Sequence, residues 1–93
     1  MVKLKRSRIE TMYDILTLCN RDIKKTHIMY KANLSHLQLE KYLRLLIDKE
    51  LLSEKNGKYV TTSKGHRFLE EFRKIQSILG EEPHTISGIN SFL

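Results

Sequence analysis

Apolar residues recur at helical spacing in four separate segments of the chain. The first segment opens with a Ser-x-x-Glu capping box, formed by Ser7 and Glu10, and its pattern predicts a helix over about residues 7–19. The second segment is shorter and predicts a helix that runs from Thr26, its expected N-cap, through Ala32.

The third segment predicts a helix that follows the second one almost at once. It opens with a Ser-x-x-Gln capping box at Ser35 and Gln38 and is expected to end near residue 49 or 50. Its apolar residues are expected to form one inward-facing stripe: Leu39, Leu43, Leu46 and Ile47. Only Asn33-Leu34 separates the two helices. Such a tight connection is typical of a helix-turn-helix motif.

Two short runs of strand-forming residues come next, at residues 51–54 and 58–61. Lys55-Asn56-Gly57 joins them, and Asn-Gly favours a type I′ turn because both residues adopt positive φ readily. A hairpin this short is not stable alone, so we expect it to pack against the helices as the wing of a winged helix. A brief extended segment is also expected at Ile23-Lys24-Lys25.

The fourth helix is expected to begin at the cap Thr62-Ser63 and to end before Gly80. Its apolar residues follow the 4-3-4 spacing of a coiled-coil seam: Phe68, Phe72, Ile75 and Leu79. A body of about 70 residues is too small to cover the far end of this seam. Phe72, Ile75 and Leu79 are therefore expected to form a homodimer contact. The alternative is that the helix folds back wholly onto the first helix.

The order of these elements predicts an α+β, mostly helical fold: a winged helix-turn-helix with a C-terminal dimerisation helix. Residues 1–79 are expected to form one domain. Residues 80–93, which contain the only proline, are expected to form a flexible tail.

The net charge of +6 and the pI near 9.6 add a functional indication. Residues 1–79 hold all seventeen Lys and Arg residues against nine acids, a net charge of +8. This balance favours a polyanionic partner, with double-stranded DNA first. An anionic membrane surface ranks last, because the bases are spread over several elements rather than along one amphipathic helix. No stretch has the length of a membrane span, and we expect a cytoplasmic, nucleoid-associated protein.

Enzymatic and metal-binding patterns are missing from the sequence. Cys19 is the only cysteine and lies in an apolar run, so it is expected to be a buried thiol. The four histidines, His27, His36, His66 and His84, do not have metal-ligand spacing. No phosphate-binding loop is present. We therefore expect no catalytic residue, no metal site, no cofactor and no enzymatic activity.

Candidate DNA-contacting residues occur in four places. The third helix offers an outer face: Ser35, His36, Gln38, Lys41 and Arg44. The wing tip offers Lys55, Asn56 and Lys58. The start of the second helix, where free N–H groups attract phosphate, offers Lys24, Lys25 and Thr26. The N-terminal residues offer a basic arm: Lys3, Lys5, Arg6 and Arg8.

Each of these places also has a purely structural interpretation. Every surface helix has a solvated polar face, and lysines at turns protect strand edges from aggregation. The arm is alternatively a frayed terminus, and Tyr42 is expected to pack at the edge of the core rather than to contact DNA.

The runs Thr26–Leu52 and Tyr59–Phe72, with a wing between them, resemble a family of small archaeal winged helix-turn-helix proteins. The resemblance covers about residues 7–75 and is carried mainly by Met29–Ser35, Tyr42-Leu43 and Thr62-x-x-Gly65. It implies a transcriptional regulator or small DNA-binding protein that uses the face around His36, with help from the wing. It also implies dimerisation through the C-terminal helix, in some relatives as an antiparallel coiled coil. Leu37 departs from the polar residue that is usual on this face.

Three functions remain open on these grounds. The first is a dimeric DNA-binding transcriptional regulator that reads the major groove with residues 35–49 and contacts the backbone with residues 55–58. The second is an architectural, chromatin-like binder without sequence preference. The third is a protein-interaction winged helix that docks a partner through Leu37 and the fourth helix.

Overall fold

In the computed structural model, which describes residues 6–80 of the 93, the described chain folds into four helices and a three-stranded antiparallel sheet. The elements in chain order are α1 (Arg8–Leu18), β1 (Ile23–Lys24), α2 (Lys25–Ala32), α3 (His36–Asp48), β2 (Leu52–Lys55), β3 (Lys58–Thr61) and α4 (Ser63–Ile78). This order confirms the predicted winged helix-turn-helix fold. Lys3 and Lys5 of the expected arm, and residues 81–93 of the expected tail, lie outside the described residues.

Local side-chain caps set where three of the helices begin. The capping box of α1 is complete, with Ser7 Oγ accepting from Glu10 N and Glu10 Oε1 accepting from Ser7 N. Ser35 and Gln38 form the same pair of bonds at α3. Thr62 Oγ1 accepts from Gly65 N at α4. All three beginnings confirm the sequence signals.

The start of α2 differs from the prediction. Lys24 is the N-cap, it makes no side-chain capping bond, and Thr26 lies inside the first turn. The cause is the pairing of β1 with β3, which holds Lys24 in an extended conformation opposite Lys58 until the helix begins. Asn33 ends α2 in the left-handed conformation, with φ of 57°.

Strand β3 lies in the middle of the sheet, between β1 and β2. The turn of the β2–β3 hairpin has positive φ at Asn56 (54°) and Gly57 (78°), as a type I′ turn requires. Gly57 N also donates to the Glu54 carboxylate at 3.1 Å. The hairpin rests on the helices through Thr61, whose hydroxyl donates to Leu16 O at 2.6 Å.

The core lies between α1, α2, α3 and the sheet and is built from aliphatic side chains. Its fully buried members include Ile15, Leu16, Ile28, Leu39, Leu46 and Leu52. Leu43 is buried with them, as the inward stripe of α3 predicted. Ile47 is not, because it lies at the edge of this face, and 37% of it is exposed. No helix among residues 6–80 combines the length and the apolar content needed to cross a bilayer.

Candidate nucleic-acid interface

The most outward residues of α3 form a stripe opposite its buried leucines. They are spaced four, three and four residues apart and are all exposed: Leu37, Lys41, Arg44 and Asp48. We call this set the outer stripe of α3. Arg8, from the first turn of α1, lines the same shallow groove as the outer stripe and adds a third base to Lys41 and Arg44. Leu37 is 68% exposed in this basic setting.

The other candidates on α3 lie beside the outer stripe rather than in it. Gln38 is exposed, but its Oε1 accepts from Ser35 N at 3.0 Å, so one acceptor position of its side chain is already used at the helix start. The Ser35 hydroxyl accepts from Gln38 N at 3.1 Å. His36 is exposed, and its Nε2 lies 3.7 Å from Glu40 Oε2. Tyr42 is half-buried against the core, which supports the packing interpretation.

Three lysines stand side by side across the sheet. Lys24 of β1 pairs in register with Lys58 of β3, and Lys58 pairs with Lys55 of β2. All three side chains are exposed. Residues directly opposite on neighbouring strands project from the same face, with Cβ atoms about 5 Å apart. We call Lys24, Lys58 and Lys55 the lysine row. It joins the wing and the start of α2, which the sequence presents as two separate places.

Like charges directly opposite each other destabilise a sheet. Among the described residues, no acid forms an ion pair with a member of the lysine row. The row is therefore a local concentration of positive charge, and a bound polyanion would reduce the repulsion among its three lysines. Asn56 lies exposed at the tip of the same hairpin.

Lys25 has a different environment from its neighbours Lys24 and Thr26, which are exposed. Its Nζ donates to Glu40 Oε2 on α3, and both side chains are 35% exposed. Sequence reasoning missed Glu40 because the two residues are fifteen positions apart and no local pattern links them.

The two described bases of the arm have separate roles. Arg6 points inward: its Nη1 donates to the buried Asp14 carboxylate and its Nη2 to Ala32 O, both at 2.5 Å. The expectation that Arg6 belongs to a DNA-tracking arm is therefore wrong, because its guanidinium is used inside the protein. Arg8 is exposed and lies at the groove of the outer stripe.

The seam of α4 is partly covered by α1 and partly open. Phe72 packs on Tyr13 with ring centroids 4.6 Å apart, and Phe68 lies 6.3 Å from Phe72. Ile75 and Leu79 are 54% and 64% exposed. The first half of the seam thus folds back onto the body, and the second half does not. A groove of about 470 Å³ runs along this face: Ile9, Leu51, Lys64, Arg67, Phe68, Glu71, Phe72 and Ile75.

Cys19 is fully buried, as the sequence indicated. Burial raises the pKa of its thiol from 9.0 to about 12, because the thiolate loses its hydration. A nucleophilic cysteine needs the opposite shift. Residues 6–80 contain no group of three or more His, Cys, Asp or Glu side chains placed to hold a metal ion.

Comparisons with known proteins agree with this architecture. The chain is 36% identical over 73 residues to the uncharacterized protein MJ0290 of Methanocaldococcus jannaschii, a match that covers 77% of this chain and 35% of that protein. The chain thus spans about a third of the length of that relative. It is 28% identical over 82 residues to the uncharacterized protein MJ0287 of the same archaeon, covering 87% and 84% of the two chains.

A solved structure and a family model extend these likenesses. The crystal structure of Sso10a-2, a DNA-binding protein from Sulfolobus solfataricus, superposes with a TM-score of 0.66 at 32% sequence identity, covering 80% of this chain and 85% of that one. Residues 5–80 match a family model described as winged helix-turn-helix. The protein therefore belongs to the winged helix-turn-helix family.

Proposed function

We propose that the protein is a dimeric, double-stranded DNA-binding transcriptional regulator. The observation that carries the proposal is the lysine row, three exposed like charges aligned across the wing sheet with no ion-pair partner among residues 6–80. Such an arrangement is unfavourable in the free protein and favourable against a phosphate backbone. Membership of the winged helix-turn-helix family and the likeness to a protein described as DNA-binding support the same partner.

In this proposal α3 enters the major groove. Lys41 and Arg44 of the outer stripe are long enough to bond guanine O6 and N7 or a phosphate. In this arrangement Leu37 contacts a thymine methyl group, and Arg8, which lines the same groove, adds a phosphate contact. His36 and Gln38 reach the walls of the groove from the two sides of the outer stripe.

The wing and the start of α2 contact the backbone in the same arrangement. Lys55, Asn56 and Lys58 contact one stretch of phosphates. Lys24, which lies next to Lys58 in the sheet, and Thr26 contact the adjoining phosphates. These contacts supply most of the affinity and depend steeply on salt, because bound counterions are released.

A homodimer is proposed through the open half of the α4 seam. Ile75 and Leu79 expose apolar surface that water disfavours, and the exposed edge of Phe72 continues it. A symmetric pair would place two α3 helices on half-sites about one helical turn apart, on a palindromic sequence. Action on chromosomal DNA would place the protein in the cytoplasm with the nucleoid.

Selection of bound duplexes from a random pool, combined with sedimentation of the complexes, tests this proposal. We expect a palindromic motif bound by two copies. Replacing Lys24, Lys55 or Lys58 by Gln should each lower the slope of log affinity against log salt by about 0.9. A protein that binds no duplex even at low salt would contradict the proposal.

The second candidate is an architectural DNA binder without sequence preference. The capping bond of Gln38 favours it, because this bond holds Oε1 at the helix start and competes with a bidentate adenine contact. The same selection separates the two candidates, since an architectural binder returns duplexes without a shared motif. A winged helix that docks a protein through the exposed Leu37 would show no DNA affinity in that assay.

A further inference from the structure

Two carboxylates, Glu40 and Asp48, lie within the basic face that is proposed to meet DNA. Glu40 lines the groove of the outer stripe together with Arg8, Lys41 and Arg44. Its Oε2 accepts from Lys25 Nζ of α2. His36 Nε2 lies 3.7 Å from the same oxygen. Glu40 thus has an imidazole of its own helix and a lysine of the preceding helix as neighbours.

This ion pair changes what the start of α2 offers to a phosphate. Lys25 donates to Glu40, whereas Lys24 in the lysine row is exposed and has no acid beside it in the sheet register. A phosphate that approaches Lys25 competes with the Glu40 carboxylate for the ammonium group, and that carboxylate repels the phosphate oxygens nearby. Since both side chains are one-third exposed, the pair is weak enough to exchange partners.

We propose that Glu40 is a specificity-determining residue that suppresses binding to non-cognate DNA by holding Lys25. On a random duplex the carboxylate either keeps Lys25 from the backbone or is left facing phosphate. On a cognate site it accepts a hydrogen bond from a base amino group, with cytosine N4 as the donor that suits a carboxylate, and Lys25 is released to the backbone. This role rests on the proposed DNA binding.

The test compares Glu40→Gln with Asp48→Asn. Asp48 is a matched control, because it lies on the same helix, lines the same groove, is exposed, and loses the same charge on substitution. Fluorescence anisotropy of each variant is measured on a random-sequence duplex and on the duplex preferred by the wild type, across a salt series. Circular dichroism melts check that each variant is folded at the temperature of the assay.

We expect Glu40→Gln to tighten random-duplex binding about two- to fivefold beyond the gain of Asp48→Asn. The slope of log affinity against log salt concentration should steepen by about 0.9, which is the contribution of one further phosphate contact. The ratio of cognate to random-duplex affinity should fall. In a Lys25→Gln background the extra gain of Glu40→Gln should disappear, because there is no longer a lysine to release.

Several results would overturn the inference. Equal gains from Glu40→Gln and Asp48→Asn would indicate a general charge effect. A gain that persists in the Lys25→Gln background would show that Lys25 is not the group being held. If the duplexes selected by the wild-type protein share no motif, Glu40 has no specificity role, although the protein still binds DNA. Absence of any wild-type DNA binding would instead contradict the proposed function itself.

Discussion

Arg6 connects three parts of the fold through a single guanidinium. It meets the fully buried Asp14 of α1 and the carbonyl of Ala32 at the end of α2, where the helix-turn-helix turn begins. A buried carboxylate without its cation is costly, because neither water nor a countercharge stabilises it. Arg6 therefore fixes the position of α2 against α1 instead of contacting DNA.

Arg6→Ala should lower the free energy of unfolding by about 3 kcal/mol, since it removes the Arg6 guanidinium from the buried Asp14 carboxylate and from Ala32 O. Arg8→Ala is the matched control, because Arg8 is exposed and its loss should change stability by at most about 0.5 kcal/mol. Urea unfolding followed by circular dichroism measures both. Equal stability of the two variants would show that the Arg6 bonds contribute little.

Cys19 makes stability depend on pH in the alkaline range. Its folded pKa is raised by burial to about 12, so the unfolded chain loses the thiol proton first as pH rises. The stability that this group contributes is complete below about pH 9 and is lost between pH 9 and pH 12, at about 1.4 kcal/mol per pH unit. Urea unfolding at pH 8, 9 and 10 should show a steeper decline for the wild type than for Cys19→Ala. Parallel declines would refute the assignment.

Helix α4 approaches the wing so closely that only glycine fits at Gly65. An added Cβ would lie 2.3 Å from Leu51 O and 2.5 Å from Thr61 Cγ2. The Leu51 backbone and the buried Thr61 side chain cannot make room for this atom unless α4 shifts. Thr62 N, which donates to the same Leu51 O at 3.1 Å, would be disturbed as well.

Gly65→Ala should therefore destabilise the protein by about 1–3 kcal/mol, although alanine is the better helix former. Ser63→Ala provides the comparison, since Ser63 is exposed in the same first turn. Thermal unfolding of both variants measures the difference. A stabilised Gly65→Ala variant would mean that α4 moves away from the wing at little cost.

The elements that sequence predicted well are those set by local contacts. The Ser7 and Ser35 capping boxes and the Asn56-Gly57 turn each depend on residues within four positions of one another, so their signals are complete in the sequence. The pairing of Lys24 with Lys58 moved the start of α2 away from Thr26, and it joins residues 34 positions apart.

The candidate site was less predictable for the same reason. Its bases were visible in the sequence, but the contact of Glu40 with Lys25 and the inward direction of Arg6 depend on how α1, α2 and α3 pack. Helical periodicity located the outer face of α3, yet it did not show that the Gln38 side chain is engaged at the cap.

At the scale of the whole molecule, the proposed DNA-binding surface and the open end of the apolar seam lie on different elements. The lysine row and the outer stripe lie on the sheet and on α3, whereas the far end of α4 exposes Ile75, Ile78 and Leu79. Contiguous apolar surface at the end of a helix is typical of an association site. In the proposed dimer a second copy would join there, on an element other than α3 and the wing hairpin.

Introducing charge into the open seam tests that arrangement. The double variant Ile75→Glu with Leu79→Glu should sediment as a monomer, because two carboxylates would have to be buried in the dimer contact. Its affinity for a palindromic duplex should fall by more than about tenfold, since the two half-sites are then bound independently. Ser77→Glu, on the opposite face of α4, is the control and should remain dimeric, because its carboxylate stays in water. A wild type that sediments as a monomer at micromolar concentration, or a double variant that remains dimeric, would place the dimer contact elsewhere or exclude it.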